Sequence, residues 1–165
     1  MKAILYLDYD GVLHPEPVYR SPLGGMHFSV DQAGHSLFEN SGILAEALAP
    51  YPEVAIVLST SWVRVLSYSQ AKAYLPDALR SRVIGATFHS AMNKFEFDAM
   101  TRGAQVLADA TRRAVTGWVA LDDDDEGWVG PASQHLVLTN GFKGLSEPET
   151  VAELSDKLRE QCKPR

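Results

Sequence analysis

The sequence predicts an α/β fold, a Rossmann-like doubly wound sheet of about five mostly parallel strands. Two observations predict it. Short apolar runs punctuate the chain, and each is continuous rather than alternating, as a strand buried on both faces requires. Between the runs lie segments whose apolar residues recur at helical spacing. The runs are AILYL (3–7), VAIVL (54–58), RVIGATF (82–88), WVAL (118–121) and HLVLT (135–139).

The intervening segments follow in order. Short helices are expected over 42–49 and 62–75, bounded by Pro50, Pro52 and Pro76. A longer helix follows Thr101, a candidate N-cap, with Ala104, Leu107, Ala108 and Val115 on its apolar stripe. In the last one, Ser146 and Glu149 have capping-box spacing and Pro148 sits in the first turn; Val151, Leu154 and Leu158 then form the buried stripe. Residues 14–41 are different. They carry prolines, glycines, three histidines and scattered aromatics without a clean period, and read as an irregular excursion over the strand ends within one domain, 1–165.

Composition narrows the function classes. A chain of 165 residues can bury a real core, and 45% hydrophobic with 22% charged residues is ordinary for a globular protein. A formal net charge of -6 argues against a broad nucleic-acid or anionic-membrane surface, while leaving room for a local basic groove. The single cysteine, Cys162, excludes an intramolecular disulfide framework. The first apolar run is too short for a signal segment or a spanning helix. A cytoplasmic protein with no membrane partner is therefore expected.

Parallel sheets place their sites at the carboxyl ends of their strands. Here the first strand is followed by Asp8, Asp10 and Gly11, the second by Ser59, Thr60 and Ser61, and the fourth by Asp122 to Asp125. Carboxylates gathered on one edge repel unless a cation joins them, and a set of oxygen donors suits Mg²⁺. Hydroxyls and amides at the turn after the second strand suit a phosphate oxygen. Together they point to phosphoryl chemistry.

Three of these segments carry a resemblance. DYDGVL resembles the first motif of the haloacid dehalogenase-like (HAD) phosphatase superfamily, VAIVLSTS its second, and VALDDDD its acidic fourth. They occur in the right order and each follows an apolar run. The resemblance implies Asp8 as the nucleophile that forms an aspartyl-phosphate, and Asp10 as general acid and then general base. It also implies a Mg²⁺ held by Asp8, by the backbone carbonyl of Asp10 and by Asp123, with Asp122 in support. Ser59 would hydrogen-bond the transferring group, while Gly11 and Thr60 would lie beside the substrate.

The superfamily also uses a Lys or Arg near the start of the helix before the fourth strand. Arg102 opens that helix, where the dipole disfavours a positive charge, so a task is implied for it. Lys94 is the second candidate. Two departures stand out. The spacing from Asp10 to Ser59 and on to Arg102 leaves no room for a separate cap domain, so the site should be open to a large or terminal phosphate substrate. The acidic run also has Gly127 where the superfamily has an Asp, with Asp124, Asp125 or Glu126 as replacements.

A narrower resemblance is to the capless phosphatase-type domain of some multidomain RNA-repair proteins. It implies a phosphorylated partner such as a nucleic-acid end, which Trp62, Trp128 or His14 would contact. The expectation is a Mg²⁺-dependent phosphomonoester hydrolase. The alternative is a Mg²⁺- or phosphate-binding module that has lost turnover and docks to a partner. A receiver domain would need an Asp at the end of the third strand, and GATFHSAMNK has none.

Overall fold

A computed structural model describes residues 3–28 and 32–162. Its centre is a five-stranded sheet in which every pairing is parallel. The strands are β1 (Ile4–Leu7), β4 (Ala55–Leu58), β5 (Val83–Ala86), β6 (Trp118–Asp122) and β7 (Leu136–Leu138), and their spatial order is β5-β4-β1-β6-β7. A two-stranded antiparallel hairpin, β2 (Val18–Arg20) with β3 (Met26–Phe28), stands apart from it.

The continuous apolar runs have the cause that their pattern suggested. Every residue of β1, β4 and β6 is buried, because helices cover both faces of the sheet. Strand alternation divides them. Leu5, Leu7, Ile56, Leu58, Val119 and Leu121 face one core. Leu44 and Leu48 of α1 (Ser41–Leu48) join it, as do Leu154 and Leu158 of α7 (Pro148–Gln161). Ile4, Tyr6, Val57, Trp118 and Ala120 face the other, where Val106 and Ala110 of α6 (Arg102–Arg112) pack. The chain builds outward from β1 through β4 to β5, then returns to the other side of β1 with β6. That reversal puts the crevice at the carboxyl end of β1.

Three local expectations change. The helix expected over 62–75 is two, α2 (Trp62–Val65) and α3 (Tyr68–Ala73), because Ser67 is extended and its hydroxyl caps α3 by accepting from the Gln70 amide. The capping box is absent: Glu147 is the N-cap of α7, and the Ser146 hydroxyl donates to the Lys143 carbonyl instead. Within 14–41, the hairpin replaces a wholly irregular path. The remaining helices described are α4 (Asp77–Arg80), α5 (Lys94–Ala99) and 3₁₀ turns at Gly130–His135 and Gly144–Ser146. No separate cap domain occurs among the described residues, and none of the helices described is long and apolar enough to cross a membrane.

Candidate active site

Sheet hydrogen bonding runs one residue past the strands and sets the positions of the side chains that follow. The Asp8 amide donates to the Leu121 carbonyl, Ser59 to Leu7, Thr87 to Leu58 and Thr139 to Asp122. Asp8, Ser59 and Asp122 are thereby brought to one edge. All three are buried.

Asp8, Asp122 and Asp123 each offer a carboxylate oxygen within 4.8 Å of the others. Among the described residues a single cation faces them: Arg102 Nη1 lies 3.5 Å from Asp8 Oδ1, from Asp122 Oδ2 and from the Ser59 hydroxyl. Arg102 reaches this point because α6 begins against the acidic loop. Thr101 caps the helix by accepting from the Ala104 amide, and the Gly103 amide donates to the Glu126 carbonyl at 2.9 Å. Lys94, the other candidate, is exposed at the start of α5 and lines a different cavity.

The electrostatics are those of an acid cluster with too little positive charge. Burial, with the charges of Asp8 and Glu16, pushes Asp123 up to about 9. Burial also raises Asp122 well above the carboxylate range, and raises Asp8 despite Arg102 and a hydrogen bond from the Tyr9 amide. For Arg102 burial acts downward, but the surrounding Asp8, Asp122, Asp124 and Asp123 charges more than reverse it. A divalent cation among the three carboxylates would return them to the ionised form. Hard oxygen donors at this spacing fit a metal ion such as Mg²⁺. Gly11 adds to the fit: at φ +74° it turns the chain, and a Cβ there would collide with the Asp123 carboxylate.

Asp10 stands outside that trio. Its Oδ1 accepts from the Trp62 indole N–H at 2.8 Å and lies 2.8 Å from His14 Nε2. The Phe38 amide donates to His14 Nδ1, which assigns the ring proton to Nε2 and makes it a second donor to the same oxygen. The carboxylate is a quarter exposed and borders the cleft, so Oδ2 carries no partner among the described residues. His14 and Trp62 are buried, and Trp128 packs beneath α6 while its indole donates to the Asp124 carbonyl. None of the three offers a ring face to a nucleotide, contrary to the expectation for them. Thr60 is likewise buried, its hydroxyl accepting from the Trp62 amide, and the Ser61 side chain makes no cap and borders the cleft instead.

Around these groups lies a cavity of about 380 Å³, to which Glu16 also contributes. Glu16 is a site residue that the sequence did not reveal. It lies in the excursion, where no period marks an inward-facing position; its amide donates to the Gly141 carbonyl, which brings it against Asp123. Thr139 is a second such residue, its hydroxyl donating to the Gly11 carbonyl at 2.6 Å. Of the substitutes for the acid missing at 127, Asp124 is used within the loop, accepting from the Glu126 amide, and Asp125 and Glu126 are exposed.

Residues 4–150 match the family described as the HAD domain in Swiss Army Knife RNA repair proteins. The chain belongs to this family. The match runs from β1 into the first turn of α7, so it includes every element that contributes to the HAD-domain site described above. No curated protein and no solved structure matches the chain.

Proposed function

We propose that this HAD domain is a Mg²⁺-dependent phosphomonoester hydrolase that works through an aspartyl-phosphate. The observation that carries the reading is a difference in surroundings between two carboxylates separated by one residue. Asp8 is buried with Arg102 and the acid trio, whereas Asp10 is held away from them by Trp62 and His14. Membership of the HAD family and the metal-compatible trio support it.

In this mechanism the Tyr9 amide and Arg102 hold Asp8 Oδ1, which leaves Oδ2 to attack phosphorus in line with the leaving oxygen. The new bond joins Asp8 to phosphorus as the ester P–O bond breaks. Asp10 gives its proton to the departing oxygen. The same residue, now ionised, takes a proton from water as the water oxygen attacks phosphorus, and the Asp8–phosphorus bond breaks to release phosphate. Arg102 and Ser59 hydrogen-bond the transferring group. Asp8, Asp122 and Asp123 would hold Mg²⁺, which supplies positive charge to the phosphoryl oxygens. With no cap domain over it among the described residues, the cleft admits the phosphorylated end of a large substrate.

Turnover of a panel of phosphate esters, with and without Mg²⁺, tests the reading. Asp8→Asn should abolish hydrolysis of an aryl phosphate while leaving the circular dichroism spectrum unchanged. Wild-type-level turnover in that variant would sink the mechanism, and inactivity of the wild-type protein on every ester would favour a module that only binds.

A further inference from the structure

A second cavity, of about 630 Å³, opens beside the acidic cleft. Between the two lies a recess of about 220 Å³, which shares Ser61, Arg102 and Asp124 with the cleft and Arg64 with the cavity, and to which Asp98 and Glu126 also contribute. The chemistry changes along this path. The cleft is lined mainly by acids, whereas the cavity is lined by Arg64, Lys94, Arg112, Arg113 and His89 with no Asp or Glu among its described lining residues. In a chain of net charge -6 that separation is not a composition effect.

The cations are aimed as well as gathered. Asp98 holds the Arg64 guanidinium through two hydrogen bonds of 2.9 and 2.8 Å, and Arg64 lies 4.8 Å from the centre of the Phe88 ring. Its plane is thus fixed by an acid at its end and an aromatic ring beneath it. Asp109, buried on the sheet side, holds both Arg112 and Arg113, so one carboxylate orients two cations and leaves positive charge uncancelled. Lys94 is exposed at the start of α5. Besides Phe88, the lining includes Tyr68 and the half-exposed Ile84.

We propose that this cavity binds the nucleotide adjoining the terminal phosphate of a single-stranded nucleic acid, whose end enters the acidic cleft through the recess at Arg64. The proposal rests on the phosphomonoesterase reading of that cleft. Lys94, Arg112 and Arg113 would meet the next phosphodiester, and the base would lie against the Arg64 plane and the apolar wall. Charge complementarity selects a polyanion, and the cavity volume is that of a small-molecule site. The fixed guanidinium plane favours a nucleotide over an acidic phosphopeptide, which brings charge but no flat ring.

The test is equilibrium binding to the full chain carrying Asp8→Asn, which keeps substrates intact, with Mg²⁺ present. Fluorescence anisotropy would compare single-stranded RNA 12-mers phosphorylated at the 5′ or the 3′ end, the matching nucleoside monophosphates and an acidic phosphopeptide. At least one phosphorylated 12-mer should bind about 10-fold or more tighter than its nucleoside monophosphate. Lys94→Glu should weaken the 12-mer alone and lower the salt slope by about 1. A glutamate suits the first turn of α5, so the variant should fold. Equal affinity for 12-mer and mononucleotide, an unchanged salt slope, or a preference for the peptide would overturn the proposal. Wild-type turnover of an aryl phosphate separates the two readings: turnover without strand preference removes the cavity alone, and Lys94-dependent strand binding without turnover removes the phosphatase.

Discussion

Asp10 Oδ1 accepts two hydrogen bonds, and the donors come from separate parts of the chain, His14 from the turn after β1 and Trp62 from the first position of α2. His14 is enclosed by Phe28, Phe38 and Trp62, with ring centres 4.9 to 5.8 Å away. Such a buried donor acts on Asp10 and not on substrate, so His14 is a positioning residue. His14→Phe should keep the aromatic packing and remove the hydrogen bond, at a stability cost of about 1–3 kcal/mol for the orphaned Phe38 amide. Protonation of the leaving oxygen matters most for poor leaving groups. Turnover of alkyl phosphates should therefore fall by ~10²-fold or more, while nitrophenyl phosphate is affected far less. An equal loss on both substrates would assign His14 a structural role only. Asp8 and Asp10 were legible as a pair, because their spacing after an apolar run is local. The partners of Asp10 were not, because Trp62 and His14 were expected to contact a nucleotide until the fold turned both onto the carboxylate.

At the scale of elements, α6 carries the site's cation and is tied down at both ends. At its start a Cβ on Gly103 would strike the Gly127 backbone, and one on Gly127, at φ +78°, would strike the Thr101 side chain. Position 127 is where the superfamily resemblance asks for an acid. Gly127→Asp should therefore not add a metal ligand; it should strain the backbone by about 1–3 kcal/mol and push the first turn of α6, with Arg102, off the cleft. Lower Tm together with a higher KM for aryl phosphate would show this, and an activity gain would contradict it. At the far end, fully buried Asp109 accepts from the Tyr6 hydroxyl of β1 at 2.9 Å and pairs with Arg112 and Arg113. Asp109→Ala removes the shared partner and orphans the buried Tyr6 hydroxyl, which should cost about 1–3 kcal/mol, read as a fall in the denaturant midpoint. The helix itself was visible in its spacing and its Thr101 cap. Its anchorage was not, since a glycine in an acidic run reads as a gap until a neighbouring helix fills the space.

For the whole molecule, the acid trio links stability to pH and to metal. Without a cation, folded Asp123 keeps its proton up to about 9, whereas in the unfolded chain it would lose it near about 4. The folded state therefore binds more protons across that window, and stability should decline as pH rises through it. Mg²⁺ competes with those protons, so its stabilising shift in Tm should be larger at about pH 8 than at about pH 5.5. Equal shifts at the two values would deny the trio a metal-binding role. The sequence alone determined the parallel sheet, the order of its strands along the chain and the acids at their ends. Burial on both faces and a turn after each strand are local signals, written in consecutive residues. Only the tertiary structure decided that Arg102 rather than Lys94 meets those acids, that Glu16 joins them from the hairpin segment, and that Lys94 belongs to a basic cavity next door. These depend on which surfaces α5, α6 and the excursion pack against. That choice is set by contacts between residues far apart in the chain, which no periodicity records.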